Sequence, residues 1–280
     1  MSKLRKALEK AKESRQHDDV LYKEDPPRQT ASESEGMVIM PERRAPHDTA
    51  VEKINPSYHQ TKVCPIDLEN LEKNRIISIC HGNMVADRIK ILRTQILNHL
   101  REAGGNTLLI ASANSGEGRT VTAINLAIAL SQQIDGTVLL VDSDLRNPSI
   151  HTLLGIDVTK GLSDYLRGKA EIPELLINPG IPRLVILPGG KPLVNSSELL
   201  GAPRMKLLVK EMKERYADRI IIFDSSPLLD SADSMVLSRF IDGILIVVEA
   251  EKTTKEDLKR TLELLKERPV IGTVFNKARG

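Results

Sequence analysis

The sequence predicts an α/β fold, a mostly parallel sheet with helices on both faces, preceded by a long flexible N-terminal region. Three observations predict it. From residue 83 onward, short runs rich in β-branched residues alternate with segments of helical period. Those runs are apolar on consecutive rather than alternate residues, as expected of strands that helices cover on two sides. Composition also shifts near residue 75, because the first 75 residues hold six of the 15 prolines and, of the 17 glycines, only Gly36.

In chain order, residues 1–16, MSKLRKALEKAKESRQ, place Leu4, Ala7, Leu8 and Ala11 at helical spacing, with six basic residues against two acidic. They predict a short basic amphipathic helix. Docking onto a partner or an anionic membrane surface suits such a helix, and a solvated terminal helix is the plainer alternative. Residues 17–75 mix charged and polar residues without an apolar period and read as a flexible linker. Residues 76–280 form the predicted domain. It opens with a helix on which Val85, Ile89, Leu92, Ile96 and Leu100 share a face. Strands follow at TLLIASA, TVLLVDSD, RLVILPGG, RIIIFDSS, GILIVVEA and VIGTVFNK, with helices such as AINLAIALSQQ and KEDLKRTLELLKE between them. Ligands in sheets of this class bind beyond the carboxyl ends of the strands, so the loops after these runs are where chemistry belongs.

Composition removes several functions. With 40% hydrophobic and 28% charged residues in 280, the chain has material for a core and is not wholly disordered. Forty basic residues against 38 acidic leave a formal charge of +2, which is no signal for nucleic acid. Three phenylalanines, four tyrosines and no tryptophan make poor stacking platforms for single strands. Cys64 and Cys80 alone cannot build a zinc site, and the histidines lack metal-ligand spacing. A reducing, cytoplasmic setting fits. No run approaches the roughly 18 apolar residues that cross a bilayer, and no apolar stretch of a secretion signal follows the basic start. Any membrane connection is therefore expected to run through a partner.

Three loops carry the chemistry. After TLLIASA comes Asn114-Ser115-Gly116-Glu117-Gly118-Arg119-Thr120, and a helix begins. Glycines between a strand and a helix N-terminus let backbone N–H groups curl around a phosphate, with the helix dipole behind them. The strict GxxxxGK[ST] pattern is broken by Ala113 at the first glycine and Arg119 at the lysine. The plainer alternative is a glycine-bearing turn that caps a buried helix. The next strand ends in LLVDSDLR, giving Asp142, Asp144 and Arg146. Carboxylates at the end of an apolar strand are costly unless they bind a cation, accept donors or move protons. One of the pair suits Mg²⁺, directly or through water, and the other a proton from an incoming hydroxyl. Helix N-caps before Pro148 are the alternative. The third loop, Asp224-Ser225-Ser226-Pro227, follows IIIF, and Asp224 with the Thr120 hydroxyl would anchor a nucleotide-bound magnesium ion. Together the three loops predict a P-loop NTPase-type nucleoside-triphosphate site.

At these residues the chain closely resembles the bacterial tyrosine kinases of capsule and exopolysaccharide synthesis, the cytoplasmic ATPase partners of membrane polysaccharide copolymerases. SGEGRT resembles their Walker A loop, LLVDSDLR their Walker A-prime motif and IIIFDSSP their Walker B; GLSDYLRG, LPGGKPLVNSSELL and DGILIVVEAEKTT extend the likeness over about 83–278. The start MSKLRKALEKA resembles variants that occur with exosortase systems. The resemblance implies ATP/ADP and Mg²⁺ as ligands. Ser115, Gly116, Glu117, Gly118, Arg119, Thr120 and Val121 would hold the phosphates, Asn276 would help read the adenine edge, and Thr120, Asp144 and Asp224 would serve the metal. Asp142, with Asp144 and Arg119, would be catalytic, Asp142 as the base that activates a tyrosine hydroxyl. The family assembles into rings through an acidic-x-x-basic-x-x-basic helix, and Asp87, Lys90 and Arg93 occupy that spacing, so a homo-oligomer recruited to the inner face of the membrane is implied.

Two departures bear on activity. Arg119 keeps a positive charge, but its planar guanidinium is wider than an ammonium. The family's tyrosine-rich tail is absent from the closing FNKARG. Tyr165 and Tyr216 lie on helical segments and read as packing residues, which leaves Tyr22 and Tyr58 as the accessible acceptors. A non-catalytic nucleotide-binding switch is the alternative function. A partition or cell-division-site ATPase is another, disfavoured by Asn114 and Ser115 where such proteins carry an extra lysine.

Overall fold

Runs that are apolar on both faces can bury them only in a sheet covered by helices, and that is the arrangement formed. The computed structural model describes residues 62–79, 84–133, 136–215 and 218–278. The helix expected over 1–16, and Tyr22, Tyr58, Tyr216 and Cys80, lie outside them. The strands are β1 (Lys62–Val63), β2 (Thr107–Ser112), β3 (Thr137–Asp142), β4 (Ile177–Asn178), β5 (Leu184–Leu187), β6 (Arg219–Asp224), β7 (Gly243–Glu249) and β8 (Val270–Asn276). They form one sheet in the order β1-β4-β5-β3-β6-β2-β7-β8. Every neighbouring pair is parallel except β4–β5. The fold is therefore the predicted P-loop NTPase-type sheet.

The helices are α1 (Leu68–Lys73), α2 (Met84–Glu102), α3 (Arg119–Ser131), α4 (Ile150–Leu153), α5 (Leu162–Leu166) and α6 (Ile172–Leu175). After them come α7 (Ser196–Leu200), α8 (Pro203–Arg215), α9 (Asp233–Leu237) and α10 (Lys255–Leu264). Alternate strand residues feed two cores. Leu108, Ile110, Val138, Leu140, Ile222 and Val247 pack with Leu71, Ile96, Leu100, Ile124 and Ile128 from α1 to α3. Leu109, Leu139, Val141, Ile221, Phe223 and Ile246 pack on the other face with Met205, Leu208 and Val209 of α8. Nonpolar surface on both sides explains why these strands read as unbroken apolar runs.

Helix α3 is buried continuously from Ala123 to Ser131, as a helix apolar all round must be. Asn125 is the polar residue that this burial has to satisfy. Its side-chain oxygen accepts from Ile77 N at 2.8 Å and Ser78 N at 2.9 Å, and its amide donates to Arg75 O at 3.0 Å. A buried side chain thus holds the 75–78 segment to the domain.

That contact corrects the linker expected over 17–75. From residue 62 the chain already belongs to the domain, with β1 pairing β4, α1 burying Leu71, and Ile76 fully buried beside it. Few apolar residues suffice because their partners, on α3 and the sheet, are supplied from far along the chain. The face expected on α2 also divides. Ile96 and Leu100 are buried, whereas Val85 is exposed and Ile89 and Leu92 are half-buried against a hollow described below.

Leu71→Ala leaves a cavity in this core and should cost about 3 kcal/mol of stability. Urea unfolding of the intact chain measures it, and a loss below about 0.5 kcal/mol, the range of ordinary surface changes, would return 62–75 to linker status.

Candidate functional site

Sheet order brings the three loops together. Strand β6 lies between β3 and β2, and in that register Asp142 pairs with Asp224 while Ile110 pairs with Asp224 on the other side. The loop after β2 therefore begins just beyond two neighbouring carboxylates. A cleft of about 920 Å³ opens there, walled by Ser115, Gly116, Gly118, Arg119, Thr120 and Val121 of the first loop, Asp144, Arg146 and Ser149 of the second, and Lys277 after β8.

Glycine is required in the first loop. Gly116 and Gly118 have φ of 81° and 91°, the left-handed region that side chains other than glycine's rarely adopt. A Cβ on Gly118 would also meet the Asn276 amide nitrogen. That amide donates to Glu117 O at 2.9 Å, and Lys277 Nζ donates to Gly116 O at 2.8 Å, so the end of β8 pins the loop from outside. Glu117 is buried. Its carboxylate accepts from Asn114 N at 3.1 Å and from the Thr253 hydroxyl at 2.6 Å. The Glu117 side chain thus braces the loop, and only its backbone is left for a ligand.

Arg119 is 8% exposed and is turned toward the carboxylates. Nη1 donates to the Ser112 hydroxyl at 2.7 Å, Nη2 to Asp144 Oδ2 at 3.1 Å, and Nε stands 3.5 Å from Asp224 Oδ1. Asp142 is wholly buried and its Oδ2 accepts from Ser149 N at 2.9 Å and Ile150 N at 3.0 Å, so it caps α4, while Oδ1 has no partner. Asp224 has only loose donors, Arg119 Nε at 3.5 Å with Thr120 and Ser225 nearby, and none meets either oxygen in good hydrogen-bond geometry. Burial pushes the Asp224 carboxyl up to about 6 against the opposing charge of Arg119. Burial first, then the Asp224 charge, raises Asp142 well above the ordinary carboxylate range. Burial also raises Asp144, again against Arg119.

Buried carboxylate oxygens without donors are costly unless a cation or proton joins them. Orphaned oxygens on Asp142 and Asp224, beside a phosphate-type loop, are what a hydrated magnesium ion would satisfy, so the residues present fit that ion. Among the described residues no group of three histidines, cysteines or carboxylates is arranged to hold a metal alone. Such an ion would draw the rest of its ligands from nucleotide phosphates and water, as Mg²⁺ commonly does.

The expected residues do not all converge. Arg119, Thr120, Asp144 and the loop glycines share the cleft, and Asp142 and Asp224 lie buried behind its wall. Asn276 spends its amide on the loop; it also borders an adjoining apolar hollow of about 490 Å³ with Val121, Leu92 and Phe275. Asp87 and Lys90 pair with each other at 2.8 Å on the exposed side of α2, while Arg93 turns inward to donate to Ala129 O at 2.8 Å. Tyr165 packs in the core, with the Arg204 guanidinium 4.3 Å above its ring. Two features escaped the sequence reading. Arg146 is held by the Ser196 hydroxyl at 3.2 Å and faces the buried Asp233 at 3.7 Å. Lys277 reaches the loop from the strand-end position next to Asn276, where the strand-end rule could have found it.

A phosphate-type loop at a strand–helix junction, with carboxylates on the two adjoining strand ends of a parallel sheet, defines a P-loop ATPase-type domain. Residues 105–271 match the family model described as an AAA domain. The chain belongs to that family and, within it, to the bacterial tyrosine-protein kinases. Tyrosine-protein kinase YwqD of Bacillus subtilis strain 168 is 31% identical over 208 residues, which are 74% of this chain and 86% of YwqD. The solved kinase domain of Escherichia coli tyrosine kinase Etk superposes with a TM-score of 0.69 at 25% identity, covering 78% of this chain and 89% of that one. Against full-length Etk the chain is 29% identical over 197 residues and spans 27% of its length. The septum site-determining protein MinD of Pyrococcus horikoshii, solved with Mg-ADP, matches with a TM-score of 0.50 over 60% of this chain. The kinase domain is the better structural match.

The raised Asp224 carboxyl makes stability depend on pH in a defined direction. Its folded value of about 6 exceeds the unfolded value, so its contribution is fully present near pH 4 and is lost as pH rises through 6. His151, whose value burial lowers, works in the opposite sense below about 6.5. Comparison with Asp224→Asn removes His151 from the difference and reads Asp224 together with its charge coupling to Asp142. Without nucleotide or divalent ions, lowering the pH from about 7.5 to 5.5 should stabilise the native chain relative to Asp224→Asn by about 1 kcal/mol. Chemical denaturation at each pH reads the difference, and parallel curves for the two proteins would contradict it.

Proposed function

We propose that this chain is an ATP- and Mg²⁺-dependent protein-tyrosine-kinase-type ATPase that regulates exopolysaccharide or capsule assembly through a membrane copolymerase partner, as a homo-oligomer recruited to the membrane. The family membership supports the kinase-type activity. One observation carries the site assignment: Asp144 and Asp224, from two separate loops, both lie within 3.5 Å of the Arg119 guanidinium at the end of the glycine loop. Among the described residues no helix is long and apolar enough to cross a membrane, which suits recruitment by a partner.

In this reading the backbone of Ser115 to Thr120 cradles the phosphates at the N-terminus of α3. The adenine ring enters the adjoining apolar hollow beside Val121 and Asn276. Thr120, Asp144 and Asp224 hold magnesium, which would offset phosphate charge when bound. Asp142 accepts the proton of an incoming tyrosine hydroxyl. Asp87, exposed on α2, and the half-exposed Lys90 beside it would meet a second copy.

A specific observation favours a second reading, the nucleotide-binding switch. Arg119 is committed to Asp144 and Asp224, the groups that would hold the metal, and a guanidinium that stays there would bind nucleotide poorly disposed for transfer. One assay separates the two. With labelled ATP, the kinase reading expects phosphotyrosine from the intact chain and its partner fragment, falling about 100-fold in Asp142→Asn while ATP binding persists. The switch reading expects tight ATP binding, negligible turnover, and turnover that appears in Arg119→Lys. Hydrolysis without labelled tyrosine in any of the three proteins would reduce the assignment to an ATPase.

A further inference from the structure

We propose that Lys277 supplies the ammonium that the phosphate loop itself lacks, gripping the nucleotide's phosphates from the end of β8. The inference rests on the ATP-binding reading above. Arg119 is the loop's basic residue, yet each of its three nitrogens faces Ser112, Asp144 or Asp224. Its charge neutralises the carboxylates behind the wall and not a ligand in front of it. A triphosphate still needs cationic partners in the cleft.

The basic residues that line the cleft besides Arg119 are Arg75, Arg146 and Lys277, among the described residues. Arg146 is held sideways by Ser196 and Asp233. Lys277 stands at the loop itself, with Nζ 2.8 Å from Gly116 O and 3.1 Å from Glu249 Oε1. An ammonium has three donors. Two are used here, and the third remains for a ligand in the cleft that the side chain lines. Glu249 also receives Lys252 at 3.2 Å, so its charge is shared between two lysines and does not hold Lys277 alone.

The backbone supports the assignment. Lys277 adopts φ of 57°, an uncommon conformation for a residue with a side chain, and its N–H donates to Asn276 Oδ1 at 2.9 Å. Asn276 and Lys277 thereby turn together onto consecutive carbonyls of the loop, Glu117 and Gly116. A compact ammonium suits this place, because it acts as a point charge and can turn from a carbonyl to a phosphate oxygen without a fixed plane.

Calorimetric titration of the intact chain with ATP, ADP and adenosine tests the inference on Lys277→Met and Lys277→Gln, with Lys252→Met as the comparison. Lys277→Met should weaken ATP binding about tenfold or more, ADP less, and adenosine not at all, with a smaller effect from Lys252→Met. Equal weakening of all three ligands would show that Lys277 only braces Gly116, and unchanged ATP affinity would show no role at all; either overturns the inference. Lys277→Gln keeps a donor to Gly116 without the charge, so ATP affinity at full strength in that variant also overturns it. Failure of the unsubstituted chain to bind ATP would remove the functional reading as well, whereas tight binding that is indifferent to Lys277 removes this inference alone.

Discussion

Three buried carboxylates gathered around one guanidinium are the constraint from which the rest of the site follows. Asp142 and Asp224 are register partners on adjacent strands, and Asp144 lies one turn of the loop further on. Placing such groups out of water costs several kcal/mol per ion unless charge and hydrogen bonds are supplied. Arg119 supplies the charge, backbone N–H groups of α4 supply the hydrogen bonds to Asp142, and Asp224 is left under-satisfied. The site is thus built around a deficit of positive charge. A proton or a bound metal removes that deficit, and only with such positive charge in place would the cleft suit an anionic phosphate.

The sheet makes the deficit possible. Strands apolar on both faces place their polar residues only at their ends, and the parallel order puts the carboxyl ends of β3, β6 and β2 side by side. The dipole of α3 favours negative charge at this place, since its positive N-terminal end begins at Arg119. On the far side, β8 reaches past β7 to hold the loop through Asn276 and Lys277. The loop is therefore fixed at both edges before any ligand arrives, and little ordering is left for binding to accomplish.

Much of this was legible in the chain. Apolar runs on both faces, glycines before a helix and aspartates at strand ends each have one local physical meaning, and all three meanings agree. What escaped was settled at long range. Leu71 sits in a proline-bearing stretch that carries no period, and its burial is accompanied by Asn125, some fifty residues later, tying the backbone of residues 75, 77 and 78 to the domain. Glu117 looks like part of a phosphate loop by position, but Thr253 and Asn114 claim its carboxylate. Arg93 has the spacing of an exposed helix face and yet caps the carbonyl of Ala129. Lys277 stood beside a residue already singled out, and no local pattern says which strand-end side chain turns toward a loop more than 150 residues away.

The geometry also explains what an arginine does at position 119. A guanidinium is planar, weakly hydrated and presents donors in several directions at once. It can therefore meet Ser112, Asp144 and Asp224 simultaneously, as it does here. A lysine ammonium at the same place would be a strongly hydrated point charge, better matched to a phosphate in the cleft than to three separate partners at once. Exchanging one for the other therefore moves charge from the ligand side of the loop to the protein side. In the proposed reading such a loop would cradle phosphate through its backbone while its cation for the phosphates comes from elsewhere, and the side chain already placed against the loop's carbonyl is that of Lys277.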